Sequence, residues 1–138
     1  MIADADHFKR VNDRYGHAAG DEVLRRLAHT LEQTVGDEGF VGRLGGEEFG
    51  IFLPASDRHQ GIRTAARICT TMRQIQMLVE GRSLAITLSI GGTMHAATTM
   101  IGHSLKKADD RLYEAKDAGR DRFNFGEDTP ATQESLRA

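Results

Sequence analysis

This sequence has almost no sulfur available for cross-linking. A single cysteine, Cys69, excludes an internal disulfide and any multi-cysteine metal site. No apolar run approaches the ~20 residues that a membrane-spanning helix requires, and no stretch has the pattern of a signal peptide. An excess of charge of one sign is missing too. Eighteen basic and 20 acidic residues leave a formal net charge of -2, mixed along the chain. That argues against a nucleic-acid partner and against attachment to anionic membranes. The six histidines contain no i,i+4 pair, so a zinc site is not expected. Internal repeats and low-complexity segments are absent as well. What remains is 138 residues, 39% apolar and 28% charged, which fits one soluble cytoplasmic domain with a single sizeable core.

Apolar spacing predicts three principal helices. From Asp21 to about Val35 the stripe is Val23, Leu24, Leu27, Ala28, Leu31 and Val35. From about Arg58 to Val79 it runs through Ile62, Ala65, Ala66, Ile68, Cys69, Met72, Ile75 and Val79, which gives Cys69 a buried, unreactive role. The third helix carries Leu105, Ala108, Leu112 and Ala115, with Gly119 placed to end it. His17 is expected to close the turn before the helix at Asp21.

Strand signals lie between the helices. "MIAD" is the stub of a first strand, and "FVGRL" and "FGIFL" flank a glycine–glutamate turn closely enough for a hairpin. "LAITLSIGG", Leu84 to Gly92, alternates Ile86, Leu88 and Ile90 on one face, and "RFNF", Arg122 to Phe125, makes a short last strand. The order β-α-β-β-α-β-α-β contains the split βαβ, ferredoxin-like arrangement: an α+β, two-layer fold with helices on one face of a mainly antiparallel sheet. The domain is expected over residues 1–125, and 126–138, "GEDTPATQESLRA", reads as a loose polar tail.

Acids gather at strand ends in this topology. The first strand of such a sheet commonly lies beside a hairpin strand, which would bring Asp4 within reach of Glu47 and Glu48. Carboxylates at close range repel unless a cation neutralises them, and hard oxygen ligands suit Mg²⁺. Asp6 could share that face, but a cap on a short helix beginning at "HFKRVND" is preferred for it.

Four blocks, "DADHFKRVNDRYGHAAGDEVL", "RLGGEEF", "LSIGG" and "ADDRLYEAKDAGR", resemble the GGDEF family of diguanylate cyclases in its GGEEF form. The resemblance runs from Asp4 to about Phe125 and implies a palm fold like that of nucleotide cyclases and polymerases. It also implies a second copy of the domain, each copy holding one GTP, with cyclic di-GMP as product. Two Mg²⁺ or Mn²⁺ ions per half-site would be held by Asp4, Glu47 and the Ala5 carbonyl. Glu48 would help with the second metal or with deprotonating the attacking hydroxyl, and Lys9 would stabilise the transition state.

The glycines Gly45 and Gly46 would let the hairpin backbone approach the nucleotide. Asn12 and Asp21 would read guanine, against the plainer reading of Asp21 as a helix N-cap. Lys116 and Arg120 would hold the β- and γ-phosphates, against favourable placement at a helix C-terminus. The main-chain N–H groups of His7 and Phe8 would add phosphate donors.

Three departures from the family pattern stand out. A leading helix with a D-x-L-T-x-L-x-N-R-like segment, about fifty residues or fewer, does not precede the first strand, so the domain is expected to be N-terminally truncated. The missing upstream region would carry sensing and any membrane tether. "GRD" replaces the usual G-R-N, adding Asp121 and weakening the positive field. The R-x-x-D inhibitory site is replaced by "GDEG", Gly36 to Gly39, so no inhibitory site is expected. The rival reading is a catalytically weak module that senses GTP or cyclic di-GMP. Its weakness is that a sensor need not keep metal ligands.

Overall fold

The computed structural model describes residues 1–54 and 56–126. The expected polar tail, apart from Gly126, lies outside the described residues. The strands are β1 (Ile2–Ala5), β2 (Phe40–Gly45), β3 (Glu48–Phe52), β4 (Met77–Val79), β5 (Arg82–Leu84), β6 (Leu88–Gly91) and β7 (Arg122–Asn124). The helices are α1 (Phe8–Tyr15), α2 (His17–Val35), α3 (Arg58–Gln74) and α4 (Ile101–Asp117). Five strands form one sheet in the order β2-β3-β1-β6-β7, antiparallel except for the β6–β7 pair. Without β7 this is the ferredoxin-like order, as the spacing of elements predicted.

Period-two alternation divides the sheet between two sets of helices. Ala3, Ala5, Phe49, Ile51, Leu88 and Ile90 point into the main core, where Val23, Leu27 and Leu31 of α2 and Ala65, Ile68 and Met72 of α3 meet them. Ile2 points the other way and packs on Ala108 and Leu112 of α4. Helices therefore cover both faces, which corrects the one-face expectation. The reason lies in β6, where Gly91 leaves room for α4 to approach. The α4 face is only part-covered: Phe40, Leu44 and Phe52 on β2 and β3 remain exposed.

Several element boundaries differ from the periodicity. The second helix begins at His17, not Asp21, because Gly16 (φ 87°) breaks the chain between α1 and α2. His17 is thus an exposed first residue of α2 and does not close the turn. The third helix stops at Gln74, and Met77–Val79 pairs with Arg82–Leu84 as a separate two-stranded hairpin. Its turn residues Glu80 (φ 49°) and Gly81 (φ 75°) are both left-handed, the signature of a tight type I′ hairpin. Met77 and Val79 are buried at period two while Leu78 is exposed, a pattern the helical stripe through Val79 concealed. The strand expected over Leu84 to Gly92 is correspondingly divided between β5 and β6. Burial of Cys69 within α3 pushes its thiol up to about 11, in keeping with an unreactive packing role.

Gly91 gives a direct test of the α4 contact. A Cβ there would lie 2.0 Å from the Ala108 carbonyl oxygen and 2.3 Å from the Leu112 nitrogen, backbone atoms that cannot rotate away. Gly91→Ala should lower the thermal midpoint by an amount matching ~1–3 kcal/mol of overpacking. An unchanged melting curve would show that α4 does not press on β6.

Candidate active site

The acidic cluster forms where β1 ends and β3 begins. Antiparallel pairing sets Asp4 opposite Glu48, and the Ala5 N–H donates to the Glu47 carbonyl at 3.2 Å. Opposed residues share a face, so Asp4 and Glu48 both look toward α4. Asp4 is 5% exposed. Burial pushes its carboxyl above the usual carboxylate range; Lys116 opposes that rise, and Glu47 and Glu48 add to it. Lys116 Nζ stands 3.0 Å from Asp4 Oδ2 and supplies the positive charge the cluster requires.

The donor chemistry of this corner fits a small divalent ion. Carboxylate and carbonyl oxygens are hard ligands, and Mg²⁺ takes one or two carboxylates together with substrate phosphates rather than a complete protein cage. No group of three or more His, Cys, Asp or Glu side chains forms such a cage among the described residues. Asp4, Ala5 and Glu47 are therefore suited to hold an ion jointly with a nucleotide.

Asp6 plays a different part from the expected helix cap. His7 (φ 56°) is the N-cap of α1 and no side chain caps it. The buried Asp6 carboxylate instead accepts the Ser89 hydroxyl at 2.6 Å, the Thr87 hydroxyl at 2.6 Å and the Asp121 N–H at 3.0 Å. Its oxygens are spent on tying β1 to β6 and to the segment after α4. That segment carries the second expected cation. Arg120 (φ 64°) is half-buried, and its N–H donates to the Ala115 carbonyl at 3.0 Å, closing α4 three residues beyond its end.

Beside the acids lies a cavity of about 460 Å³ lined by Phe8, Lys9, Asn12, Asp21, Gly46 and Glu47, among others. Four kinds of group meet here: the amide of Asn12 and carboxylate of Asp21, a lysine, the glycine turn and the Glu47 carboxylate. Glu47 borders both the cavity and Asp4, so it joins the two halves of the site. Asp21 lies in the fifth position of α2 and so cannot be its N-cap; its carboxylate is exposed at the cavity. Gly46 (φ 49°) takes a left-handed turn conformation, and Leu44 is extruded as a bulge where the β2–β3 register shifts.

Three further lining residues escaped the sequence reading: His17, Leu24 and Arg43. Arg43 Nε donates to the Gly46 carbonyl at 2.9 Å and braces the glycine turn. Its position one bulge before the two glycines was the available signal.

Gly20 explains how Asn12 is held. Within α2 a glycine is disfavoured by ~1 kcal/mol relative to alanine. A Cβ at this position would lie 1.8 Å from Asn12 Oδ1. The helix accepts the glycine because the amide side chain of α1 lies directly against it.

The family model for the diguanylate cyclase GGDEF domain matches residues 1–122. The chain belongs to the GGDEF family. Diguanylate cyclase DgcP of Pseudomonas aeruginosa is 39% identical to this GGDEF domain over 122 residues, 88% of this chain and 18% of DgcP. The crystal structure of diguanylate cyclase SiaD with its activator SiaC, also from Pseudomonas aeruginosa, matches with a TM-score of 0.86 at 34% identity. That match covers 91% of this chain and 48% of SiaD. The active GGEEF domain of a Vibrio cholerae diguanylate cyclase matches with a TM-score of 0.82 at 32% identity, over 93% of this chain and 81% of that one. The chain spans under half the length of the curated relatives it matches.

Gly20→Ala should improve helix propensity yet displace Asn12, weakening guanine nucleotide binding about tenfold, the loss of one buried polar partner. Calorimetry with GTP and with ATP checks this: the GTP preference shrinks if Asn12 reads the base. Equal GTP affinity in variant and parent would remove Asn12 from recognition.

Proposed function

We propose that this GGDEF domain is the catalytic module of a diguanylate cyclase, condensing two GTP into cyclic di-GMP and two pyrophosphates. The observation that carries the reading is the placement of Glu47, which borders a cavity lined by Asn12 and Asp21 and lies near enough to the buried Asp4 to act on its carboxyl. Asp21 accepts two hydrogen bonds from the guanine N1–H and exocyclic amine, a pair that adenine does not present. Asn12 adds a third contact, and the polar partners left unpaired by the wrong base supply the discrimination.

Asp4, the Ala5 carbonyl and Glu47 would hold two divalent ions, Mg²⁺ or Mn²⁺, together with the triphosphate. When bound, these ions neutralise the transferring phosphoryl group and make the attacking hydroxyl more acidic. Lys116 and Arg120 hold the β- and γ-phosphates, with N–H groups at the start of α1, at His7 and Phe8, as further donors. Lys116, which pairs with Asp4 here, would turn from it to the phosphates of a bound nucleotide. Gly45 and Gly46 let the turn backbone approach the nucleotide. Lys9 faces the charge that grows on the α-phosphate, and Glu48 either supports the second ion or takes the proton from the 3′-hydroxyl. That oxygen bonds to the α-phosphorus of the other GTP as the bond to pyrophosphate breaks.

One domain holds one GTP, so two copies face each other about a two-fold axis. A cytoplasmic supply of GTP completes the scheme. Because Gly36 and Gly39 stand where an inhibitory arginine and aspartate would be, any product that binds would use the contacts that hold GTP.

Glu47→Ala should abolish cyclic di-GMP formation from GTP and Mg²⁺, read by chromatography, while the melting curve stays cooperative. Turnover at the parent rate would remove Glu47 from the metal site, and a parent domain that binds GTP without turnover would favour the sensor reading. In calorimetric competition, a non-reacting GTP analogue should displace cyclic di-GMP; simultaneous binding of both would demonstrate a separate product site.

A further inference from the structure

The chain segment after α4 is gripped from two sides, and only one grip comes from the sheet. From the core, Asp6 takes the Asp121 N–H at 3.0 Å. From the surface, Arg73 in the last turn of α3 donates through Nε to both Asp121 carboxylate oxygens at 2.9 Å and through its terminal nitrogen to the Asp121 carbonyl at 2.8 Å. Between these grips, Arg120 (φ 64°) and Asp121 (φ 46°) are both left-handed, a conformation unfavourable for residues with a Cβ. Such a backbone persists where surrounding contacts over-determine it. Asp6, itself held by Ser89 and Thr87, supplies the inner contact; Arg73 supplies the outer ones at Asp121, and Arg122 Nε donates to the Arg120 carbonyl at 2.9 Å.

We propose that Arg73 is a positioning residue for Arg120, and that it screens the Asp121 carboxylate from a bound polyphosphate. The first half follows from geometry, since Arg73 fixes both the side chain and the carbonyl of the residue next to Arg120. The second follows from charge. Asp121 would otherwise repel a triphosphate held by its neighbour, and the guanidinium on it cancels that repulsion locally. Without the pair, "GRD" would weaken phosphate binding, as its sequence suggests. The Arg73 and Asp121 side chains are 49% and 39% exposed, so the pair contributes little to folding stability and its effect is read in binding.

The inference rests on Arg120 contacting the β- or γ-phosphate, and the experiment separates the two claims. Calorimetry would compare α,β-methylene GTP, which cannot lose pyrophosphate, with GMP, which lacks those phosphates. Arg120→Ala should weaken the triphosphate analogue and leave GMP unchanged. Arg73→Ala should weaken the analogue about fivefold, the upper range for an exposed pair, again sparing GMP. Adding Asp121→Asn to Arg73→Ala should recover part of that loss.

Arg73→Lys, which keeps the charge without the fork, should fall between parent and Arg73→Ala and serves if the alanine variant misfolds. Parent-like analogue binding by the Arg73 variants, with Arg120→Ala impaired, overturns the inference alone. Equal losses for GMP and the analogue overturn it as well, because they mark general damage. No recovery with Asp121→Asn overturns the screening half. An Arg120→Ala variant that binds the analogue normally overturns the phosphate role of Arg120 and the inference with it.

Discussion

The pairing of β1 with β3 places like charges together, and much of the molecule answers that repulsion. With Asp4 opposite Glu48 and Ala5 bonded to Glu47, three carboxylates occupy one corner of the sheet, and Asp4 is buried. A one-residue slip in this register would turn Asp4 into the main core. Ala3, Ala5, Phe49 and Ile51 prevent the slip, because their burial on the α2–α3 face holds Asp4 and Glu48 on the other face. Lys116 then arrives from α4 with a compensating charge. Core packing and site electrostatics are therefore two consequences of one strand register.

The same geometry explains why some residues look costly in isolation. Gly20 sits in a helix interior because Asn12 lies against it. Gly91 ends strand β6 because α4 approaches the backbone there. Asp6 is a buried carboxylate with no ion pair among the described residues, and two hydroxyls and a backbone N–H replace its water. In each case a local preference yields to a contact made by a distant part of the chain.

Much of the candidate site was legible because its residues sit at fixed distances along continuous blocks. Asp4, Phe8, Lys9, Asn12 and Asp21 fall within one such block. Glu47 and Glu48 follow two glycines whose turn has few alternatives. The misreadings have a common physical origin. The apolar stripe through Met72, Ile75 and Val79 satisfies a helical period while Met77 and Val79 satisfy a strand period, and a short run cannot distinguish them. The left-handed turn at Glu80 and Gly81 decided the matter. Asp6 has the identity and position of a cap, but its partners Thr87, Ser89 and Asp121 are remote in the chain.

By itself the sequence determined the ferredoxin-like order of elements, the hairpin with its acidic turn, and the inward stripe of α2, since these depend on local periodicity and turn chemistry. Tertiary structure decided which face α4 covers, that Lys116 meets Asp4, that Asp6 braces a loop rather than a helix, and that Arg73 closes on Asp121. Those outcomes depend on strand register and on backbones approaching across the sheet. Such contacts join residues up to 115 positions apart, as Asp6 and Asp121 are. Periodicity along the chain carries no information about partners at that distance.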